Sequence, residues 1–191
     1  MAMLLNKLGV PRNVRLFFEP YYRVLADGSI AFPFGDEFEH VAPNLHRLPT
    51  AVNPWTAGCG PLVFISFSAM EAISFLSFSA HSFPDLDLLQ FIAVGNHWEN
   101  IPSITGKTTL LFGKDILGRL TDVKVSAALR TKKIAIRYTG DEEFHIDGHR
   151  FSEGQLTLNA FEKTLGIRSG IRTVKPRSYN TFFEQIKYQN L

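Results

Sequence analysis

From Leu62 onward the chain is a succession of apolar runs of strand length, each followed by a helix-like or turn-rich segment. The runs are LVFIS (62–66), LLQFIAVG (88–95), TTLLFG (108–113), KIAIRY (133–138) and IRTV (171–174). Continuous apolar runs mark strands covered on both faces, and helix-length connections let successive strands run parallel. The spacing therefore predicts an α/β fold with a mainly parallel sheet of about four strands flanked by helices. The expected helices are 68–78, 115–129, 155–165 and 178–189, with Ser68 and Ser178 at N-cap positions and Gly166 as a stop.

The first part of the chain has a different grain. Val14–Leu25 and Ser29–Phe34 read as two strands joined at Asp27-Gly28, a dipeptide that turns a hairpin at little steric cost. Val41–Pro61 carries four prolines and two glycines without a steady period and reads as a wrapping loop. The organisation expected is a β-hairpin extension over 1–61 and an α/β domain over 62–191. Tyr138–Phe151 breaks the later alternation and reads as a polar edge ribbon bending at Gly140 and Gly148.

Composition narrows the function classes. With 45% hydrophobic and 20% charged residues, the chain has the make-up of a soluble globular protein. A formal charge of +2 is too small for the footprint of a strong nucleic-acid binder. The lone Cys59, between two glycines, excludes an internal disulfide and a multi-cysteine zinc site, which points to a reducing, cytoplasmic setting. The apolar run in MAMLLNKLGVPRN is too short for a signal peptide or a membrane span, so no membrane association is expected.

Two stretches carry residue patterns that could serve chemistry. Gly106-Lys107-Thr108 ends like a phosphate loop, but Ile101 stands where the first glycine is needed and a strand follows instead of a helix, so a turn is expected. His145, Asp147 and His149 alternate at period two, which on one strand would place two imidazoles and a carboxylate on a single face; a solvated edge is the first reading and a divalent-metal site the second. Neither a Gly-x-Ser-x-Gly elbow nor a Cys–His nucleophile pattern is present.

The order of the runs and the residues at their carboxyl ends resemble the Toprim domain of bacterial-type primases and topoisomerases, most closely the Toprim-like domains of primase and mobilisation proteins on mobile elements. FSAMEAIS (Phe67–Ser74) fits the frame in which that family's first strand ends in Glu and its helix opens with Asp; Phe67 stands for the Glu and Glu71 for the Asp. Gly113-Lys114-Asp115, with Gly118 three residues on, fits the family's Asp-x-Asp strand end, Gly113 replacing the first Asp and Asp115 keeping the second. Arg177-Ser178-Tyr179-Asn180 takes the place of a Lys-Asp-Trp-Asn-like motif. The resemblance spans about two thirds of the chain.

The family's chemistry uses carboxylates to hold magnesium and to move a proton. With Phe67 and Gly113 at two of those positions, the resemblance implies a vestigial site, no cofactor, and a binding or scaffold module. Ile65, Phe67, Phe75 and Phe78 are expected to fill the mouth of that site, Glu71 to be a solvated helical residue and Asp115 an N-cap. The basic residues Arg168, Arg172, Lys175 and Arg177 are the expected groove for weak nucleic-acid contact. The alternative is a magnesium-dependent enzyme on nucleic-acid phosphodiesters that joins Asp115 to Asp122, Asp141 or Glu143. A module that binds only protein partners is a third class.

Overall fold

The computed structural model describes residues 3–189. Two short helices, α1 (Met3–Lys7) and α2 (Arg12–Phe18), open the chain. Four antiparallel strands follow in sequential order: β1 (Arg23–Val24), β2 (Ile30–Phe34), β3 (Glu37–Ala42) and β4 (Leu45–Arg47). Then come β5 (Trp55–Gly58), β6 (Leu62–Ser66), α3 (Ala69–Ser79), β7 (Leu89–Ala93), β8 (Lys107–Leu110) and α4 (Ile116–Leu129). The last third holds β9 (Ile136–Gly140), β10 (Glu143–Ile146), β11 (His149–Ser152), α5 (Leu158–Thr164), β12 (Arg172–Thr173) and α6 (Phe182–Gln189).

The central sheet has the order β12-β8-β6-β7-β5. Strands β12, β8, β6 and β7 are mutually parallel, and β5 closes the β7 edge antiparallel. Alternating side chains divide the core in two. Phe64, Phe91 and Leu111 face α3, α6 and the N-terminal elements, whereas Val63, Ile65, Ile92, Leu110 and Phe112 face α4 and α5. A parallel strand buried on both faces needs both covers, which accounts for the unbroken apolar runs.

The four expected parallel strands are therefore present, with differences elsewhere. Val14–Phe18 is helical instead of extended: Val14 and Phe18, four apart and both 0% exposed, share one helical face. The Asp27-Gly28 turn does join two strands, but the first is only Arg23–Val24, and Gly28 takes φ +80°. The expected wrapping loop over 41–61 contains β4 and β5, anchored by Trp55, which is 2% exposed and whose indole N–H donates to the Tyr21 carbonyl at 2.9 Å. The run 133–138 does not enter the central sheet; β9 pairs with β10 in a separate antiparallel sheet of order β11-β10-β9. It is mostly exposed, and a strand without two covers has no place inside a parallel sheet. The last helix starts at Phe182, so Ser178 is no cap; the Thr181 hydroxyl accepts the Glu184 N–H at 3.0 Å instead.

Among the described residues the parts before and after Leu62 meet in one core, since Val14, Phe18, Phe32 and Trp55 pack in the same cluster as Phe64, Ile73 and Ile186. Among the described residues no helix is long and apolar enough to cross a membrane.

Where β8 turns into α4 the backbones nearly touch: a Cβ on Gly118 would stand 2.0 Å from the Gly113 carbonyl oxygen. Backbone cannot swing aside as a side chain can, so the helix must shift. Gly118→Ala is expected to cost about 1–3 kcal/mol, read as a lower urea midpoint at unchanged slope.

Candidate functional site

Strand β6 is followed by β7 on one side and by β8 on the other, and this reversal opens a crevice at the strands' carboxyl ends, the usual ligand position in open α/β sheets. A cleft of about 540 Å³ lies there. Phe67 and Ser68 enter it from the β6–α3 junction, Gly113 and Asp115 from the β8–α4 junction, and Asn96 and Trp98 from the chain after β7. Thr181, Phe183 and Glu184 border it from the start of α6, and His46 reaches it from β4. The four positions singled out in the sequence, Phe67, Glu71, Gly113 and Asp115, thus converge on one concavity.

The mouth is not filled in the expected way. Only Phe67 of the four apolar residues lines the cleft; Ile65 is core on the opposite face of the sheet from Phe75, whose ring meets Phe64, Phe83 and Phe182, and from Phe78, half-buried against the same cluster.

Of the carboxylates lining the cleft, Glu184 accepts the Asn180 N–H at 3.1 Å, and Asp115 and Glu71, like the buried Glu39, are bound to helix starts. Asp115 accepts the Gly118 N–H at 2.8 Å and caps α4, as expected. Glu71 is not solvated: it is 7% exposed and accepts the N–H groups of Phe182 and Phe183, each at 2.9 Å, at the start of α6. Burial pushes its carboxyl up to about 7, against the pull of those two N–H groups and the Thr181 hydroxyl. A third carboxylate, Glu39 of β3, is 0% exposed and accepts the N–H groups of Ala69 at 2.6 Å and Met70 at 3.2 Å, where α3 begins. His46 Nε2 lies 3.0 Å from Glu39 Oε1, and its ring meets Phe183 edge-on at 4.9 Å. Two helices on one side of the cleft are thereby tied, through Glu39, His46 and Glu71, to the N-terminal sheet.

Glu39 and His46 were not singled out in the sequence. The signal was there in EFEHVA: at period two Glu39 shares a face with Val41, which is 1% exposed, so an acid stands at an apolar-face position.

The other candidates are scattered. Arg168, Arg172 and Arg177 are exposed near β12 and ahead of α6. Lys175 departs from them: its ammonium turns inward to Asp122 Oδ2 at 2.5 Å and to the carbonyls of Phe112 and Gly113, both at 3.0 Å. Burial pushes Asp122 up to about 6 and Lys175 down, so desolvation weighs on both partners. His145, Asp147 and His149 do not share a strand face, because Asp147-Gly148 is the turn between β10 and β11. Asp147 accepts the Ala135 N–H at 3.0 Å and pairs with Lys132 at 3.1 Å. Glu143 pairs with Arg150, and Asp141 sits in the β9–β10 turn. Among the described residues no three His, Cys, Asp or Glu are grouped to hold a metal ion. Phe67 and Gly113 bring no side-chain oxygen to the crevice; the carboxylates that line it are Glu71, Asp115 and Glu184.

No protein-family model, curated protein or solved structure matches the chain.

Two outcomes are expected from this geometry. Glu71 titrates near 7 in the folded chain against 4.5 for the free group, so its stabilising contribution is complete below about pH 4.5 and lost as pH rises through 7. In urea titrations the stability of the protein relative to Glu71→Gln should fall between about pH 5 and pH 8. For the ion pair, Lys175→Met alone leaves Asp122 buried and unpaired and should cost about 3–5 kcal/mol. Adding Asp122→Asn should recover most of that loss; equal loss in single and double variants would show that the charges are uncoupled.

Proposed function

We propose that the chain is a non-catalytic Toprim-like module, related to the primase and mobilisation proteins of mobile elements, that binds nucleic acid weakly. One observation carries the reading: the residues matching the family's frame meet at the switch-point cleft, where the two lost carboxylates are Phe67 and Gly113 and the two that remain cap helices. Both oxygens of Glu71 are committed to the Phe182 and Phe183 N–H groups and Oδ1 of Asp115 to that of Gly118, so metal coordination through those oxygens would uncap α6 or α4. The parallel order β12-β8-β6-β7 fits the same frame.

Gly113 has a further reason to stay glycine. A Cβ there would lie 2.9 Å from the Asn180 carbonyl oxygen and 3.0 Å from Asp115 Oδ1, so an aspartate meets both a backbone wall and a like charge. The loss of the carboxylate is thus built into the way the segment before α6 packs: the Lys114 N–H donates to that same Asn180 oxygen at 3.0 Å.

Weak binding is assigned to Arg168, Arg172 and Arg177, which are exposed with no acidic residue between them in sequence. Lys175 is left out because Asp122 holds it.

The reading is tested in two assays. With magnesium or manganese, the protein should neither cleave single- or double-stranded nucleic acid nor extend primers; metal-dependent activity abolished by Asp115→Ala overturns it. In titrations with labelled nucleic acid, three phosphate contacts should give a log–log salt slope of about −2 for single strands. Arg168→Glu/Arg172→Glu/Arg177→Glu should flatten that slope.

A further inference from the structure

The outer face of the N-terminal sheet carries a second concavity, of about 480 Å³, far in sequence from the Arg168–Arg177 segment. Its floor is one transverse row of the sheet. The register pairs Arg23 with Ala31, Ala31 with His40, and His40 with Arg47. Directly paired residues share a face, so two guanidiniums and an imidazole stand in line across four strands, spanning about 14 Å. Ala31, the one small residue of the row, leaves the hollow between them. The opposite face of the same strands is core: Ile30, Phe32, Phe34 and Val41 are 0–1% exposed.

The polar groups of this hollow are not equally free. Glu37 turns its carboxylate to the Thr50 N–H at 2.7 Å and the Thr50 hydroxyl at 2.9 Å, which holds it well below the usual carboxylate range. His40 is oriented by a short chain: the Ser29 hydroxyl donates to Asp27 Oδ1 at 2.5 Å, so its oxygen accepts from His40 Nε2 at 2.7 Å. Arg23 and Arg47 are exposed and make no hydrogen bond or close ion pair among the described residues, although the Arg47 charge also helps to pull Glu37 down. Phe38, two residues from His40 on the same face, is 40% exposed, and Arg23 lies over its ring at 6.0 Å, the outer limit of a cation–π contact.

Exposed guanidiniums beside an exposed ring make up the surface that single strands use, where phosphates meet the cations and an unstacked base meets the ring. A duplex buries its base faces in stacking and cannot offer one. We infer that the outer face of β1–β4 binds single-stranded nucleic acid, with backbone phosphates on Arg23 and Arg47 and a base on Phe38. The inference stands apart from the Toprim-like reading, because it uses neither the cleft nor the Arg168–Arg177 segment.

The test is fluorescence anisotropy at low salt with a labelled oligothymidylate of about twelve nucleotides, inside the range of site sizes such surfaces cover. Arg23→Glu/Arg47→Glu is expected to weaken binding at least about tenfold, and Phe38→Ala about tenfold, the scale of one base–aromatic stack. Phe38→Ala should leave binding of inorganic polyphosphate unchanged, since polyphosphate has no base. In Phe38→Trp, tryptophan emission should be quenched by the oligonucleotide, a readout that does not depend on losing affinity. Melting temperatures of all variants should match the parent, the three side chains being exposed.

The proposal is overturned if the protein does not bind the oligonucleotide, if Phe38→Ala weakens polyphosphate as much as oligonucleotide, or if duplex of equal length binds as tightly. It is also overturned if thymidine monophosphate competes as well as the strand. Loss of binding only in Arg168→Glu/Arg172→Glu/Arg177→Glu would sink this face while leaving the other segment in place; loss only in Arg23→Glu/Arg47→Glu would do the reverse.

Discussion

Glu39 is the constraint on which the arrangement of this protein depends. A fully buried carboxylate is costly unless every oxygen is satisfied, and here the satisfying groups are the orphan N–H donors of Ala69 and Met70 at the start of α3, with His46 on the other side. Charge and helix dipole reinforce one another at that point. Because Glu39 belongs to β3 and α3 follows β6, this contact sets where the N-terminal sheet sits on the parallel sheet. The aromatic packing of Phe18, Phe32 and Trp55 then fills the space between them.

Glu71 repeats the device one step further along. It leaves α3 and holds the N–H groups of Phe182 and Phe183, so the C-terminal helix is docked by a carboxylate from the helix that Glu39 docks. His46 closes the circuit by touching Glu39 and Phe183. The consequence for chemistry is direct. Acidic groups stand around a crevice in the position where open α/β sheets bind ligands, yet Glu71 and Asp115 are occupied as caps and Asp122 by Lys175. These three carboxylates serve the packing of the fold, while Glu184, also at the crevice, accepts the Asn180 N–H at 3.1 Å.

The basic surface groups divide between two places. Arg168, Arg172 and Arg177 lie near one edge of the parallel sheet, while Arg23, His40 and Arg47 line up on the outer face of the antiparallel one. A sheet register fixes the spacing of the whole second set, whereas of the first only Arg172 lies on a strand. The hollow at Ala31 and the exposed ring of Phe38 add shape to charge there.

By itself the sequence determined the elements whose signal is local. Runs covered on both faces appear as unbroken apolar stretches, so β6, β7 and β8 were legible; Ser68 and Asp115 were legible as caps because an N-cap bonds to an N–H three residues away. The three-stranded ribbon was half legible, its bends marked by Gly140 and Gly148 but its third strand mistaken for part of the parallel sheet. Only the tertiary structure decided the rest. Glu39 and Ala69 are thirty residues apart, Glu71 and Phe182 a hundred and eleven, and Lys175 and Asp122 fifty-three, and no local pattern encodes such partners. The same holds for the row Arg23, His40, Arg47, whose members are spaced irregularly along the chain and become neighbours through strand pairing alone. A buried charge is tolerated only where its partner stands, and where the partner stands is a property of the packed chain, which is why Glu71 read as solvated and proved to be a cap.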